Sequence, residues 1–191
     1  MESMTDQVMP GTGLAIAAIA LILAAAAPSL ASAGAVPWGG GCKAPAAGQP
    51  RTSATCGAEL IDGQAVPPAG APAAVKAAIA AANHIAGRPY EWGGGHLGFE
   101  SKGYDCSGAV GYSLHGAGLL GTTMVSGQLA YWGSGGTGRW ITVYANSHHV
   151  FMVIAGLRFD TRDAPPGVTG PRWHTYQVDQ RNFTARHPAG L

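Results

Sequence analysis

Residues 140–161 read WITVYANSHHVFMVIAGLRFDT. Trp140 to Ala145 and His149 to Ala155 are rich in β-branched and aromatic residues, the composition of strands. Asn146-Ser147-His148 between them is short enough for a hairpin turn. Leu157 to Thr161 reads as a third strand after Gly156. Three such segments so close together predict an antiparallel sheet.

Upstream the period is helical. Val75, Ile79, Ala82 and Ile85 recur on one face of 73–86, and Gly87 supplies a stop. A glycine-rich turn follows, Tyr90-Glu-Trp-Gly-Gly-Gly95. Gly103-Tyr-Asp-Cys-Ser-Gly108 then leads into a second helix ending near Gly116, with Asp105 placed to cap it. Helices first and strands after them predict an α+β domain. In the tail, Tyr176–Val178 and Asn182–Ala185 read as short additional strands. Trp92 and Trp140 read as core-filling side chains.

The chain has 191 residues, and a short apolar run opens it. Gly11 to Ala27 is almost wholly apolar and is followed by Ala31-Ser-Ala33, the pattern of a secretory signal cleaved after Ala33. Met1 to Pro10 carries Glu2 and Asp6 but no Lys or Arg, which departs from that pattern. The competing reading is a retained membrane anchor, since the run is near the minimum that spans a bilayer. Both readings export the remainder. Residues 34–71 are rich in Ala, Pro and Gly and read as an extension, with the folded domain over 72–191.

Formal net charge is +1 and charged residues are 11% of the chain. No basic block is present to track a phosphate backbone, so nucleic acid is excluded as a partner. Membrane association is expected only through the N-terminal segment if it is uncleaved. Gly93-Gly-Gly95 lacks the strand–helix context of a nucleotide loop. No metal or organic cofactor is expected.

Of three cysteines, Cys42 and Cys56 lie close together in the extension, where a disulfide would contribute about 3 kcal/mol. Pairing between chains, or all three cysteines reduced, are the alternatives. Cys106 is the one left over, and an unpaired thiol in an exported chain is a candidate functional group. It falls in the first turn of a helix, where the helix dipole favours a thiolate and backbone N–H groups can receive an oxyanion. A buried structural cysteine is the bland alternative.

Thiol catalysis needs an imidazole and a group to orient it. His149 opens a strand, and antiparallel pairing would bring Asp160 of the next strand beside it. His148 is the rival base, but alternation puts His149 on the face shared with Phe151 and Val153. A zinc cluster drawn from His148, His149, Asp160, His174 and His187 is a second rival, with no supporting ligand spacing.

Tyr90-x-Trp-Gly-Gly, then Tyr104-Asp-Cys-Ser-Gly108, then His149-Val-x-x-Val-Ile, together resemble the NlpC-type family of papain-like cell-wall cysteine peptidases. The resemblance covers roughly residues 72 to 162. It implies a papain-like fold with helices packed on a small antiparallel sheet, and Cys106, His149 and Asp160 as nucleophile, base and orienting group. Asp160 takes its place only if the turn before it is one residue shorter than usual. Tyr90 is implied at the oxyanion site, and Asp105 and Ser107 as side chains that bind the amine end of a stem peptide. Ser126 and Gln128 match a further Ser and Gln with spacing off by one.

The implied reaction is hydrolysis of an amide in peptidoglycan or muropeptides, typically between γ-D-glutamyl and a diamino acid, outside the cytoplasmic membrane. A P-G-D-L segment usual ahead of the His strand is missing, with Gly138-Arg-Trp-Ile-Thr-Val-Tyr144 in its place, which bears on the substrate groove. Two alternatives stand beside this reading. One is a non-catalytic wall-binding module, with Asp160 far from His149 or Cys106 sealed from solvent. The other is a cysteine amidase or acyltransferase.

Overall fold

The structure is a computed structural model and describes residues 57–191. The signal or anchor segment and the Cys42–Cys56 pairing lie outside the described residues. The chain is α+β, as expected. Helices α1 (Ala73–Ile85) and α2 (Cys106–Gly116) precede strands β4 (Ile141–Ala145), β5 (Val150–Ile154) and β6 (Leu157–Asp160). A short helix, α3 (Ser126–Leu129), and strand β3 (Ser134–Gly135) lie between the two groups, and β7 (Arg172–His174) and β8 (Thr184–His187) follow. The main sheet has the order β3-β8-β4-β5-β6-β7, with antiparallel neighbours throughout.

Strand alternation sorts the sheet residues onto two covered faces. Ile141, Val143, Ala145, Val150, Met152, Ile154 and Phe159 join one core with Val75, Ile79 and Ile85 of α1 and Val110 and Leu114 of α2. Tyr144, Phe151 and Val153 face the other way, against Val178, Phe183 and Ala185 of the C-terminal stretch. Both faces are therefore dry, and β4, β5 and β6 are buried at every position.

The β5–β6 connection sets the register on which the site depends. Ile154 pairs with Leu157, leaving a two-residue loop of Ala155 and Gly156. Their φ angles are 46° and 89°, as a tight hairpin turn with two left-handed residues requires. That turn pairs Val153 with Arg158 and Met152 with Phe159, so Asp160 ends β6 level with the start of β5.

Three expectations are corrected. The extension predicted over 34–71 contains regular structure within its described part: β1 (Glu59–Ile61) and β2 (Gln64–Val66) form a hairpin. Ala65 is buried, and Ala58 donates its N–H to the Ala155 carbonyl. Asn83 of α1 clasps the hairpin, donating to the Ala65 carbonyl at 2.8 Å and accepting its N–H at 2.9 Å. The same Asn83 oxygen accepts the Trp173 indole N–H at 2.7 Å. Hairpins of three-residue strands carry little periodicity, so their partner decides them.

In the tail, residues 176–178 are not a strand; β7 forms earlier, on the extended backbone that follows Pro171, and β8 runs two residues beyond Ala185. Trp140 is buried as expected, but Trp92 is 88% exposed. It sits on a turn whose neighbouring glycines, not its ring, pack against α2.

Asn83→Ala removes three hydrogen bonds and strands the Ala65 N–H, so it is expected to cost about 3 kcal/mol in urea unfolding. A loss under about 0.5 kcal/mol, the ordinary scatter of surface changes, would mean the clasp is not what holds the hairpin.

Candidate active site

Cys106 is the first residue of α2, and Asp105 is its N-cap, accepting the Gly108 N–H at 2.8 Å. The first helical bond runs from Ala109 N–H to the Asp105 carbonyl, so the Cys106 and Ser107 N–H groups precede the ladder. A Cβ on Gly108 would overlap the Gly94 carbonyl, which explains glycine two residues after the cysteine. The 90–95 turn thus lies directly against the helix start, and Asp105 N–H bonds Gly94 O at 3.4 Å. Cys106 is a free thiol, partly exposed.

His149 lies immediately before β5, which starts one residue later than expected, and is only 4% exposed. Asn146 opens the turn before it, its side-chain oxygen accepting the N–H of both His148 and His149 at 2.9 Å. His149 Nε2 lies 2.9 Å from Asp160 Oδ1. A carboxylate only accepts, so Nε2 carries the hydrogen and Nδ1 is the nitrogen left for the thiol. Burial pulls the imidazole down, but hydrogen bonds to Asp160 and Cys106 and their charges outweigh it, leaving His149 raised. Burial pushes Asp160 up, yet the His149 hydrogen bond and charge, the Arg162 N–H and the Arg158 charge leave it lowered. The rings of Phe151 and Phe183, each 6.3 Å from the imidazole centroid, wall off one side. His148, the rival base, is exposed.

The structure therefore brings Cys106, His149 and Asp160 together. Tyr90 lies near them: burial, then the charges of Cys106 and Asp105, raise its phenol, which stays a donor. Asp105 and Ser107 are beside the nucleophile but inward. Asp105 accepts from the Gly108 and Gly93 N–H groups, from the Ser107 hydroxyl, and from His96 Nε2 at 3.0 Å. His96 also lies 3.0 Å from the Ser107 oxygen. An amine reaching these two side chains has to displace His96, a residue that carries no motif and went unpredicted. Gln128 folds back to the Val125 N–H at 3.0 Å and so holds the entry to α3. Among the described residues no three His, Cys, Asp or Glu side chains are grouped to hold a metal.

Three solved structures resemble this chain. RipB, a peptidoglycan hydrolase of Mycobacterium tuberculosis, is 26% identical, with 64% of this chain and 68% of that one covered and a TM-score of 0.48. A hypothetical invasion protein of the same organism is 24% identical over 72% and 74% of the two chains, TM-score 0.45. An NlpC/P60 family protein of Bacillus cereus is 21% identical over 61% of this chain and 40% of its own, TM-score 0.46. No family model matches the chain, and neither does any curated protein. These likenesses are partial, so the chemistry of the site rests on its own residues.

The two shifts give a pH signature. Because His149 is raised, its pairing stabilises the fold fully below about pH 6.5 and is lost as pH climbs through the raised value. Because Asp160 is lowered, its contribution is full above about pH 4 and is lost as pH falls through the lowered value. The stability gap between the native chain and Asp160→Asn is expected to be widest between those limits and to narrow on either side. Urea titrations across pH check this, and a gap of constant width would contradict it.

Proposed function

We propose that this chain is an exported cysteine hydrolase that cleaves an amide bond in peptidoglycan stem peptides, of the γ-D-glutamyl–diamino acid endopeptidase type. The observation that carries the reading is a thiol at a helix N-terminus within hydrogen-bond reach of an imidazole whose far nitrogen is held by a buried carboxylate at 2.9 Å. The substrate class comes from the resemblance of the Asp-Cys-Ser-Gly and His-Val motifs, and RipB, a peptidoglycan hydrolase, is consistent with it.

In this reading the Cys106 thiolate attacks the amide carbonyl while the imidazolium of His149 stands by. The Cys106 and Ser107 N–H groups and the Tyr90 hydroxyl then receive the oxyanion. His149 then gives its Nδ1 proton to the leaving amine, producing an acyl-thioester on Cys106. Neutral His149 next takes a proton from water, and the hydroxide displaces the thiolate. Asp160 keeps Nε2 protonated throughout, so Nδ1 remains the working nitrogen.

The non-catalytic alternative requires a distant Asp160 or a sealed thiol. The 2.9 Å contact and the partial exposure of Cys106 favour the enzyme instead.

Cys106→Ala is expected to abolish release of fragments from purified peptidoglycan while leaving thermal unfolding nearly unchanged. His149→Ala is expected to lower turnover by about a thousandfold or more. A thiol alkylator should inactivate the enzyme and a metal chelator should not. Full activity in Cys106→Ala would overturn the assignment.

A further inference from the structure

Behind the imidazole lies a charge that none of these steps uses. Arg158 is fully buried, on the sheet face it shares with Phe151, Val153 and Asp160. Its Nη1 sits 3.4 Å from Asp160 Oδ2, the oxygen turned away from His149, while Nη2 bonds Asp163 at 2.8 Å. Nη1 and Nε make no hydrogen bond, so Arg158 acts on Asp160 through its charge.

The surroundings are built for this cation. Its guanidinium lies 4.9 Å from the Tyr176 ring centroid and 5.9 Å from that of Phe151. His174, across on β7, is pushed down by burial and by Arg158, which makes it a neutral neighbour. Asp163 takes a left-handed φ of 59° to deliver its carboxylate. The loop that carries it also brings the Arg162 N–H to Asp160 Oδ1 at 3.1 Å. A permanently charged side chain without solvent is costly, and an apolar residue would fill the same space.

The reaction cycle supplies a reason for it. While His149 is an imidazolium, Asp160 has a cation beside it. Once His149 has protonated the leaving amine, Asp160, 3% exposed, would be a buried carboxylate without that counter-ion. A proton drawn to it would make it a donor, and Nε2 would become the acceptor. Nδ1 would then carry the hydrogen and could no longer serve as base for the attacking water.

We propose that Arg158 is a positioning residue: the constant cation that keeps Asp160 a carboxylate while His149 is neutral, and so keeps Nδ1 free for thioester hydrolysis. This rests on the proposed cysteine mechanism. Among the described residues, the groups that act on the His149–Asp160 pair include Cys106, Arg158, Arg172 and His174, with Asp163 beyond Arg158.

The test uses the whole chain in Arg158→Met and Arg158→Lys forms. In a Cys106→Ala background, the His149 ring is titrated by NMR. Loss of the cation raises the proton affinity of the coupled pair wherever the proton sits, so Arg158→Met should shift the transition up by about one pH unit, a tenfold change. Arg158→Lys keeps the charge and should leave it in place. With Cys106 intact, the acid limb of kcat should move upward in Arg158→Met, with KM within about twofold. Arg158→Lys, which keeps the charge, should leave kcat within about twofold and the limb in place.

An unmoved His149 transition in folded Arg158→Met overturns the proposal. If that variant does not fold, Arg158→Gln takes its place, and an unmoved His149 transition in it overturns the proposal. A shifted His149 transition in a chain that never cleaves peptidoglycan would instead sink the proposed function and leave Arg158 in its role.

Discussion

The buried hydrogen bond between His149 Nε2 and Asp160 Oδ1 is the interaction on which the rest of this structure turns. It decides the tautomer, and the tautomer decides which nitrogen meets Cys106. Its 2.9 Å length depends on a register, and that register depends on the two-residue turn at Ala155 and Gly156. A longer turn would slide Asp160 along β6, and a shift by one residue would turn it to the opposite face. The left-handed backbone at Ala155 costs energy in a non-glycine residue, and the flanking strand pairs hold it there.

The other half of the site is made by close approach of backbones. Glycines at 95 and 108 let the turn after Tyr90 sit against the first turn of α2. Asp105 then joins the two, capping the helix and receiving the Gly93 N–H. One carboxylate therefore fixes the thiol's helix, just as another fixes the imidazole. Both are buried and both are fully engaged by neighbouring donors or cations. What differs is their partner: His96 covers Asp105 from the solvent side, whereas Arg158 backs Asp160 from within.

Much of this was legible in the residues themselves. The 3.6-residue period over 73–86, the cap at Asp105 and the β-branched runs of β4 and β5 place the helices and the central strands correctly. Cys106, His149 and Asp160 were each of the right type in the right kind of element, and the structure brings them together. Elements that depend on a partner were not legible. The hairpin at 59–66 needs Asn83 to hold it, and β7 needs β6 to pair with.

Charged residues were the hardest to read. An arginine in a four-residue strand reads as solvent-facing, whereas Tyr176, Phe151 and Asp163 gather around Arg158 in the fold. His96 lies in a loop without period or motif. Its role appears only when the loop folds back on Asp105.

In the proposed reaction an acyl group passes through Cys106. Acid-quenching the chain during turnover on peptidoglycan, then mapping its peptides by mass, tests it directly. The predicted result is a muropeptide-derived acyl-thioester on the peptide containing Cys106. Continued cleavage with that peptide unmodified at every time point, and no adduct when the water step is slowed, would contradict it.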